Sequence, residues 1–258
     1  MSATQPGSAV PPVVEVDLGA GVRAGFSTRG GGVSRPPYDA LNLGYAVGDD
    51  PSAVDRNRAG LERWAGAPVA YATQVHGSRV VVLSHPPAAG STSVGEADAL
   101  VSVSPEVAVA VLVADCVPVL LADPEAGVVA AVHAGRRGLV AGVVEATVAA
   151  MVEQGAAVRR VRAAIGPAIA GQSYEVSAAL QDEVASVIPQ TRATTSWGTP
   201  ALDLPAGVAA GLDAAGVENV THLARDTWTD PALFSFRRSQ RTGRFAGVVR
   251  PVVVRDLR

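Results

Sequence analysis

The chain has 258 residues, 48% of them apolar, and a formal charge of −3. That is enough for one large domain or two small ones around a substantial core. The weak negative balance leaves no electrostatic footprint for DNA, RNA or an anionic membrane. All 21 basic residues are arginine, which excludes the P-loop lysine, the Schiff-base lysine and a lysine general base.

Residues 1–12 lack the charged and apolar regions of a signal peptide and read as a short disordered tail. Residues 22–28 read as a strand. The segment from Thr28 through Gly30, Gly31 and Gly32 to Tyr38 is a turn-rich loop, a candidate lid. Residues 50–66 read as a helix, with Pro51 near its start and Gly66 after its end. Residues 84–96 are loop, and 98–133 alternate apolar runs with turns, as a central sheet does. Residues 138–153 give the clearest helix, with Leu139, Val143, Ala146 and Ala150 on one face and Gly155 as its stop. A strand follows at 159–165, then helices near 177–187 and 205–215, and a closing strand within 245–255. Many gaps between strands are too short for helical crossovers, so a mixed α/β or α+β layered sandwich is expected rather than a doubly wound sheet. With no linker and no repeat, 13–258 reads as one domain. The longest apolar run, ending at Ala114, is too short to span a bilayer. The single cysteine cannot form an internal disulfide. These features predict a soluble, cytoplasmic, monomeric protein.

Chemistry concentrates at His76, Cys116 and His133. Apolar, strand-like runs at 69–75, 107–113 and 127–132 lead into them, and strand ends at one sheet edge are where sites are built. The chain has only one cysteine and four histidines. A His-Cys-His set suits zinc with a fourth position open. Spacings of 40 and 17 residues fit no compact structural zinc motif. The same residues also read as a Cys-His nucleophilic pair; a second histidine is needed by the metal and superfluous for the pair. After His133 the stretch Ala-Gly-Arg136-Arg137-Gly138 enters the predicted helix, a turn suited to phosphate or carboxylate. His85 reads as exposed and His222 as structural. The stretch from Asp226 through Phe234, Arg238 and Arg241 is polar and aromatic, with no role legible in its spacing.

Five segments resemble the YfiH / multicopper polyphenol oxidase (laccase-domain) family. They are Ser27-Thr-Arg-Gly-Gly-Gly-Val-Ser34 with Pro37-Tyr-Asp-Ala-Leu-Asn-Leu-Gly44, Gln74-Val-His-Gly77, Ala114-Asp-Cys-Val-Pro-Val-Leu-Leu121, Ala131-Val-His-Ala-Gly-Arg-Arg-Gly138, and Ile165-Gly-Pro-Ala-Ile169 with Tyr174-Glu-Val176. Phe234-Ser-Phe-Arg-Arg238 and Thr242-Gly-Arg244 also fit. The resemblance implies a four-layer α/β/β/α sandwich like the catalytic domain of cytotoxic necrotizing factor. It implies zinc on His76, Cys116 and His133, with copper able to occupy the same site, and substrate contacts at Asn42, Gln74, Arg136 and Arg137. It further implies purine nucleoside phosphorylase activity on adenosine, inosine and methylthioadenosine, with adenosine deaminase activity beside it. In that scheme Arg137 holds phosphate and Asp115 serves acid–base chemistry in deamination. Two other activities go with the family: editing of cytoplasmic peptidoglycan precursors, here a hydrolase using Cys116 and His133, and copper-dependent polyphenol oxidation. Four histidines are too few for a multicopper centre. Two departures stand out: Arg136 replaces a tryptophan, and Thr227 lies where many members carry a cysteine.

Overall fold

The structure is a computed structural model and describes residues 10–252. Two mixed sheets lie face to face. The first orders as β1 (Val13–Glu15), β2 (Val22–Ser27), β13 (Phe245–Pro251), β6 (Ala108–Val113) and β3 (Val69–Ala70). The second orders as β12 (Asn219–His222), β9 (Arg162–Ile165), β7 (Val117–Asp123), β8 (Val128–Ala134), β5 (Ala99–Ser102) and β4 (Val80–Leu83). Only the β3–β6, β4–β5 and β9–β12 pairs are parallel. Short antiparallel connections such as the β7–β8 turn explain why no helical crossover fits between these strands. A separate hairpin pairs β10 (Arg192–Thr194) with β11 (Pro200–Leu202).

Helix α1 (Pro51–Ala65) covers the outer face of the five-stranded sheet, packing Leu61, Trp64 and Ala65 against Ala108, Ala110, Ala246 and Val248. The outer face of the six-stranded sheet is covered by α2 (Arg136–Val140), α3 (Val143–Glu153), α4 (Ala178–Val187) and α5 (Leu204–Ala214). A one-turn helix, α6 (Phe236–Ser239), precedes β13. The result is the α/β/β/α sandwich. Between the sheets, Phe26, Val109, Val111, Leu120, Val129, Ala131 and Val249 make the central core.

Because β7 and β8 are buried on both faces, they read as unbroken apolar runs. Along β8, Val128, Ala130, Val132 and Ala134 pack on the helices, while Val129 and Ala131 pack on the other sheet. The two-residue period therefore puts His133 on the inter-sheet face.

Several boundaries follow local chemistry. Asp50 caps α1 by accepting from Ser52 N, Pro51 occupies the first turn, and Gly66 ends the helix at φ 72°, a left-handed position that glycine takes freely. The helix expected at 138–153 is two helices. It starts earlier, at Arg136, and breaks at Ala141 and Gly142, where Gly142 takes φ 78°. Of the expected stripe, Leu139 and Val143 are buried and Ala150 packs against the same core, but the main buried face of α3 runs through Val143, Val144, Thr147, Val148 and Met151 and leaves out Ala146. Without allowance for the break, the helical phase slips by about a residue.

The expected tail lies outside the described residues up to residue 9. Pro11 is already buried, so the ordered fold begins ahead of residue 13. Residues 253–255 of the expected closing strand also lie outside. No helix among the described residues is long and apolar enough to cross a membrane.

Candidate metal centre and its cleft

His76, Cys116 and His133 converge, with one ligand atom from each and all three within 4.8 Å of one another. His133 sits inside β8, one residue from its end. Cys116 immediately precedes β7, and the pairing of Pro118 with His133 brings it alongside. His76 follows only the two-residue β3, in a loop, with its own backbone at φ 61°. The expected strand at 69–75 stops at Ala70, where an isolated Thr73–Glu96 bridge takes over. The Cys116 sulfur lies 3.8 Å from His76 Nε2, and the two imidazoles meet edge to face at 4.8 Å between centroids.

Asp98 organises the two histidines of this group. It is fully buried, just ahead of β5. Its carboxylate accepts from His133 Nδ1 at 2.8 Å, His76 N at 2.9 Å, Gly77 N at 2.7 Å and Val75 N at 3.2 Å. One carboxylate thus fixes the loop carrying His76 and engages Nδ1 of His133, leaving Nε2 of that ring for a ligand role. Burial pushes the Asp98 carboxyl up, but the bonds from His133 and Gly77 outweigh it and the net shift is down. For Cys116, burial raises the thiol, yet His133 and His76 pull it well below its ordinary value. For His133, burial favours the neutral ring, but Cys116 and Asp98 together raise it. Without a metal the pair therefore leans toward thiolate and imidazolium, the polarity a nucleophilic cysteine uses, whereas a bound metal would take the thiolate and displace the imidazole proton.

Two glycines of the 133–138 stretch are there for space. A Cβ on Gly135 would lie 2.6 Å from His76 Cδ2 and 3.2 Å from Cys116 Sγ; one on Gly138 would lie 2.7 Å from Gly77 O. Arg136 and Arg137 begin the five-residue α2. Since α2 is that short, the expected anion site at the start of a long helix is replaced by guanidinium groups alone.

The triad opens into a cleft of about 840 Å³. Five arginines line it: Arg58, Arg136, Arg137, Arg237 and Arg244. Asp115 lines it too, at φ 99°, with Oδ1 accepting from Thr227 Oγ1 at 2.6 Å and Oδ2 from Arg237 N at 2.7 Å. It braces the turn before Cys116 against the start of α6, and Thr227 is its partner. Gln74 lines the cleft but exchanges both amide bonds with the Leu112 backbone, each at 2.8 Å. Asn42 is the one expected contact residue that the structure does not bring to the cleft. It is fully buried, and its amide binds Gly44 N and O, Arg244 N and Asp49. It shapes the loop around Gly44 instead.

The glycine loop is likewise no lid: residues 28–38 do not line the cleft, and Asn57 of α1 pins Val33 and Ser34. His85 is exposed, bonded to Ser84, and His222 ends the edge strand β12; neither joins the triad. The polar-aromatic stretch resolves into a frame: Arg238 donates to the carbonyls of Thr227, Trp228, Asp230 and Leu233.

Sequence reasoning missed Asp98, Tyr174, Arg237 and Arg244. Tyr174 stands beside Arg136 and Arg237; burial and the Cys116 charge push its phenol above the ordinary value, and the two arginines offset this only in part. Arg244 donates to the carbonyls of Thr242 and Gly243. Burial disfavours its charge, partly offset by Cys116 and Asp115. A lone Asp between alanines, entering a strand, was the available signal for Asp98.

The protein is thus an α/β/β/α sandwich with a His-Cys-His group, able to hold a metal ion, at one end of the β7–β8 pair. The chain belongs to the family described as multi-copper polyphenol oxidoreductase laccase, whose match spans residues 23–251. A protein named purine nucleoside phosphorylase from Mycobacterium tuberculosis is 49% identical over 231 residues, covering 88% of this chain and 91% of that one. The crystal structure of a Neisseria meningitidis protein is 36% identical with TM-score 0.84, covering 93% of this chain and 99% of the other. That of YfiH from Bacillus licheniformis is 29% identical with TM-score 0.81, covering 89% and 92%. With two of the four histidines remote from the triad, this chain cannot assemble a multicopper cluster.

Proposed function

We propose that the protein is a zinc-dependent purine nucleoside phosphorylase, acting on adenosine, inosine and methylthioadenosine, with adenosine deaminase activity as a secondary reaction. The carrying observation is the convergence of His76, Cys116 and His133 in an arginine-lined cleft, with Asp98 holding the two histidines. Relatives that bear the phosphorylase name support the reaction class.

The donor set fits zinc in kind, with two nitrogens and one sulfur biased to thiolate; its widest spacing of up to 4.8 Å would close by about 1 Å around one tetrahedral ion with bonds of roughly 2.0–2.3 Å. Zinc held there supplies Lewis acidity toward an oxygen of substrate or water. The chain's own residues do the rest. Asp98 holds His133 in one tautomer. Arg136, Arg137, Arg237 and Arg244 gather the phosphate dianion. Glycosidic cleavage builds positive charge on the ribose, and an anion held beneath the anomeric carbon stabilises it. Phe236, half exposed on the cleft wall, offers a ring face to a purine. For deamination, each Asp115 oxygen accepts one bond and keeps a second acceptor site, so it braces the loop and still takes a proton.

The test is a metal-defined preparation assayed with each nucleoside plus phosphate. Free base and the sugar 1-phosphate, ribose 1-phosphate or, from methylthioadenosine, 5-methylthioribose 1-phosphate, are the expected products, and their absence from zinc-loaded protein overturns the reading.

A second reading is favoured by one observation. The cleft is open and large, and its five arginines suit a bigger anionic substrate, as a peptidoglycan-precursor hydrolase using Cys116 and His133 would need. A covalent substrate adduct on Cys116 in quenched enzyme supports that reading and removes the zinc one.

A further inference from the structure

One wall of the cleft stands apart from the ligand triad: Tyr45, Arg58, Thr73, Thr92 and Ser93. Arg58 projects from α1. Its guanidinium lies over Tyr71 at 3.8 Å from the ring centroid and over Tyr45 at 4.3 Å. Its Nε donates to Leu43 O at 2.9 Å, and one terminal nitrogen to Thr92 O at 3.2 Å. None of these contacts involves His76, Cys116 or His133. No carboxylate stands within ion-pair distance of Arg58 among the described residues. A guanidinium has five N–H groups, so most of its donors remain for the cleft. Beside it, Ser93 Oγ donates to Gly95 O at 3.2 Å and so accepts from Thr73 Oγ1 at 2.9 Å, which uses both hydroxyl protons and leaves Arg58 and the exposed Thr92 as the donors on this wall. A cation held still by two rings and two carbonyls, lacking a counter-ion and facing a cavity, is built to receive anionic oxygen.

We propose that Arg58, with the Thr92 hydroxyl, forms a second anion subsite, which binds a phosphate or carboxylate carried by the substrate itself. It is separate from the phosphate gathered by Arg136, Arg137, Arg237 and Arg244. The proposal rests on the nucleoside reading for its choice of probes. The competing role for Arg58 is a clamp that ties the 84–96 loop to α1 through Thr92 O.

The experiment is equilibrium binding to zinc-loaded full-length protein, wild type and Arg58→Gln. The probes are adenosine, adenosine 5′-monophosphate, an adenosine bearing a succinyl carboxylate on its exocyclic nitrogen, and inorganic pyrophosphate. Charged hydrogen bonds of this kind support a preference of about tenfold. At least one anionic nucleoside is expected to bind about tenfold tighter than adenosine, and Arg58→Gln to bring that ratio to about one. Preference for the 5′-monophosphate identifies a phosphate on the ribose side; preference for the succinyl compound identifies a carboxylate on the base side. No preference in wild type, or an equal loss for neutral and anionic probes in the variant, overturns the subsite, the equal loss by showing a clamp. If no nucleoside binds at all, the nucleoside reading fails by itself. Pyrophosphate then decides: several-fold weaker binding to Arg58→Gln supports the subsite, and equal binding overturns it. Should Arg58→Gln fail to fold, Arg58→Met, which keeps the stem packed on the rings, is read by the same ratios.

Discussion

Two buried aspartates sit at opposite ends of the β7–β8 hairpin, and they are used differently. Asp123 closes the turn. It is fully buried, accepts from Glu125 N, Ala126 N and Ala157 N, and pairs with Arg160 at 2.8 Å. Asp98 is just as buried and also accepts three backbone N–H groups, but its side-chain partner is His133. Arginine is a permanent cation, so the Asp123 cluster is electrically complete and serves stability. Histidine changes charge and has a second nitrogen, so the Asp98 cluster is completed only by whatever binds beyond it. The same backbone device holds a turn in one place and aims a ligand in the other.

The sharpest break in this comparison comes at the ligand itself. Cys116→Ser keeps a weak oxygen nucleophile and removes the thiolate zinc prefers. Zinc content and activity are expected to fall together to near background, with no substrate adduct in wild type; elemental analysis and mass spectrometry read the two. Zinc retained while activity vanishes points to a nucleophile. Next is Asp98→Asn, expected to weaken zinc affinity by about 10–100-fold, the usual cost of losing the carboxylate behind a ligating histidine; chelator competition measures it. Asp123→Asn is the control at the other end: full zinc stoichiometry, but Tm lower by about 3–8 °C.

The pH dependence of that difference follows from the lowered Asp123 carboxyl. Burial raises it, but Arg160 and the backbone donors bring it below its ordinary value. A depressed folded value stabilises fully above the unfolded value of about 4 and ceases to do so as pH falls through the folded one. Wild type and Asp123→Asn should therefore differ at neutral pH and converge below about pH 4; a constant gap in calorimetric scans would contradict the ion-pair account. The smallest effect is expected at Arg137, which is exposed and makes only a 3.4 Å bond to Val75 O. Arg137→Ala should raise the apparent KM for phosphate about tenfold while sparing deamination, and equal losses in both reactions would mark a structural role.

The triad was legible because cysteine and histidine are rare here and two of the three lie at strand ends, His76 being in a loop past β3. The sheet was legible because strands buried on both sides read as continuous apolar runs. Asp98 was not, since its partners lie 21–35 residues away and only the fold brings them together. Arg58 and Arg244 were hidden for the same reason: one is on a helix face, the other follows a glycine turn, and nothing local says both face one cavity. The Gly142 break was readable as a glycine, yet surrounding helix formers masked its left-handed backbone. Asn42 does not reach the cleft: a polar residue in a family motif looks like a contact, whereas here its amide is spent on backbone groups and the Asp49 carboxylate.

The place of β13 carries a consequence for how the protein is made. It is not an edge strand but lies between β2 and β6, with Gly247 facing Phe26 on one side and Val111 on the other. Until a ribosome has delivered that late segment, β2 and β6 have no neighbour at the seam they share, and both expose apolar edges prone to pairing with other chains. The first half of the chain must wait for the last strand before one sheet can close. A nascent chain halted before residue 245 is therefore expected to be aggregation-prone, even though His76, Cys116 and His133 have all been synthesised by then.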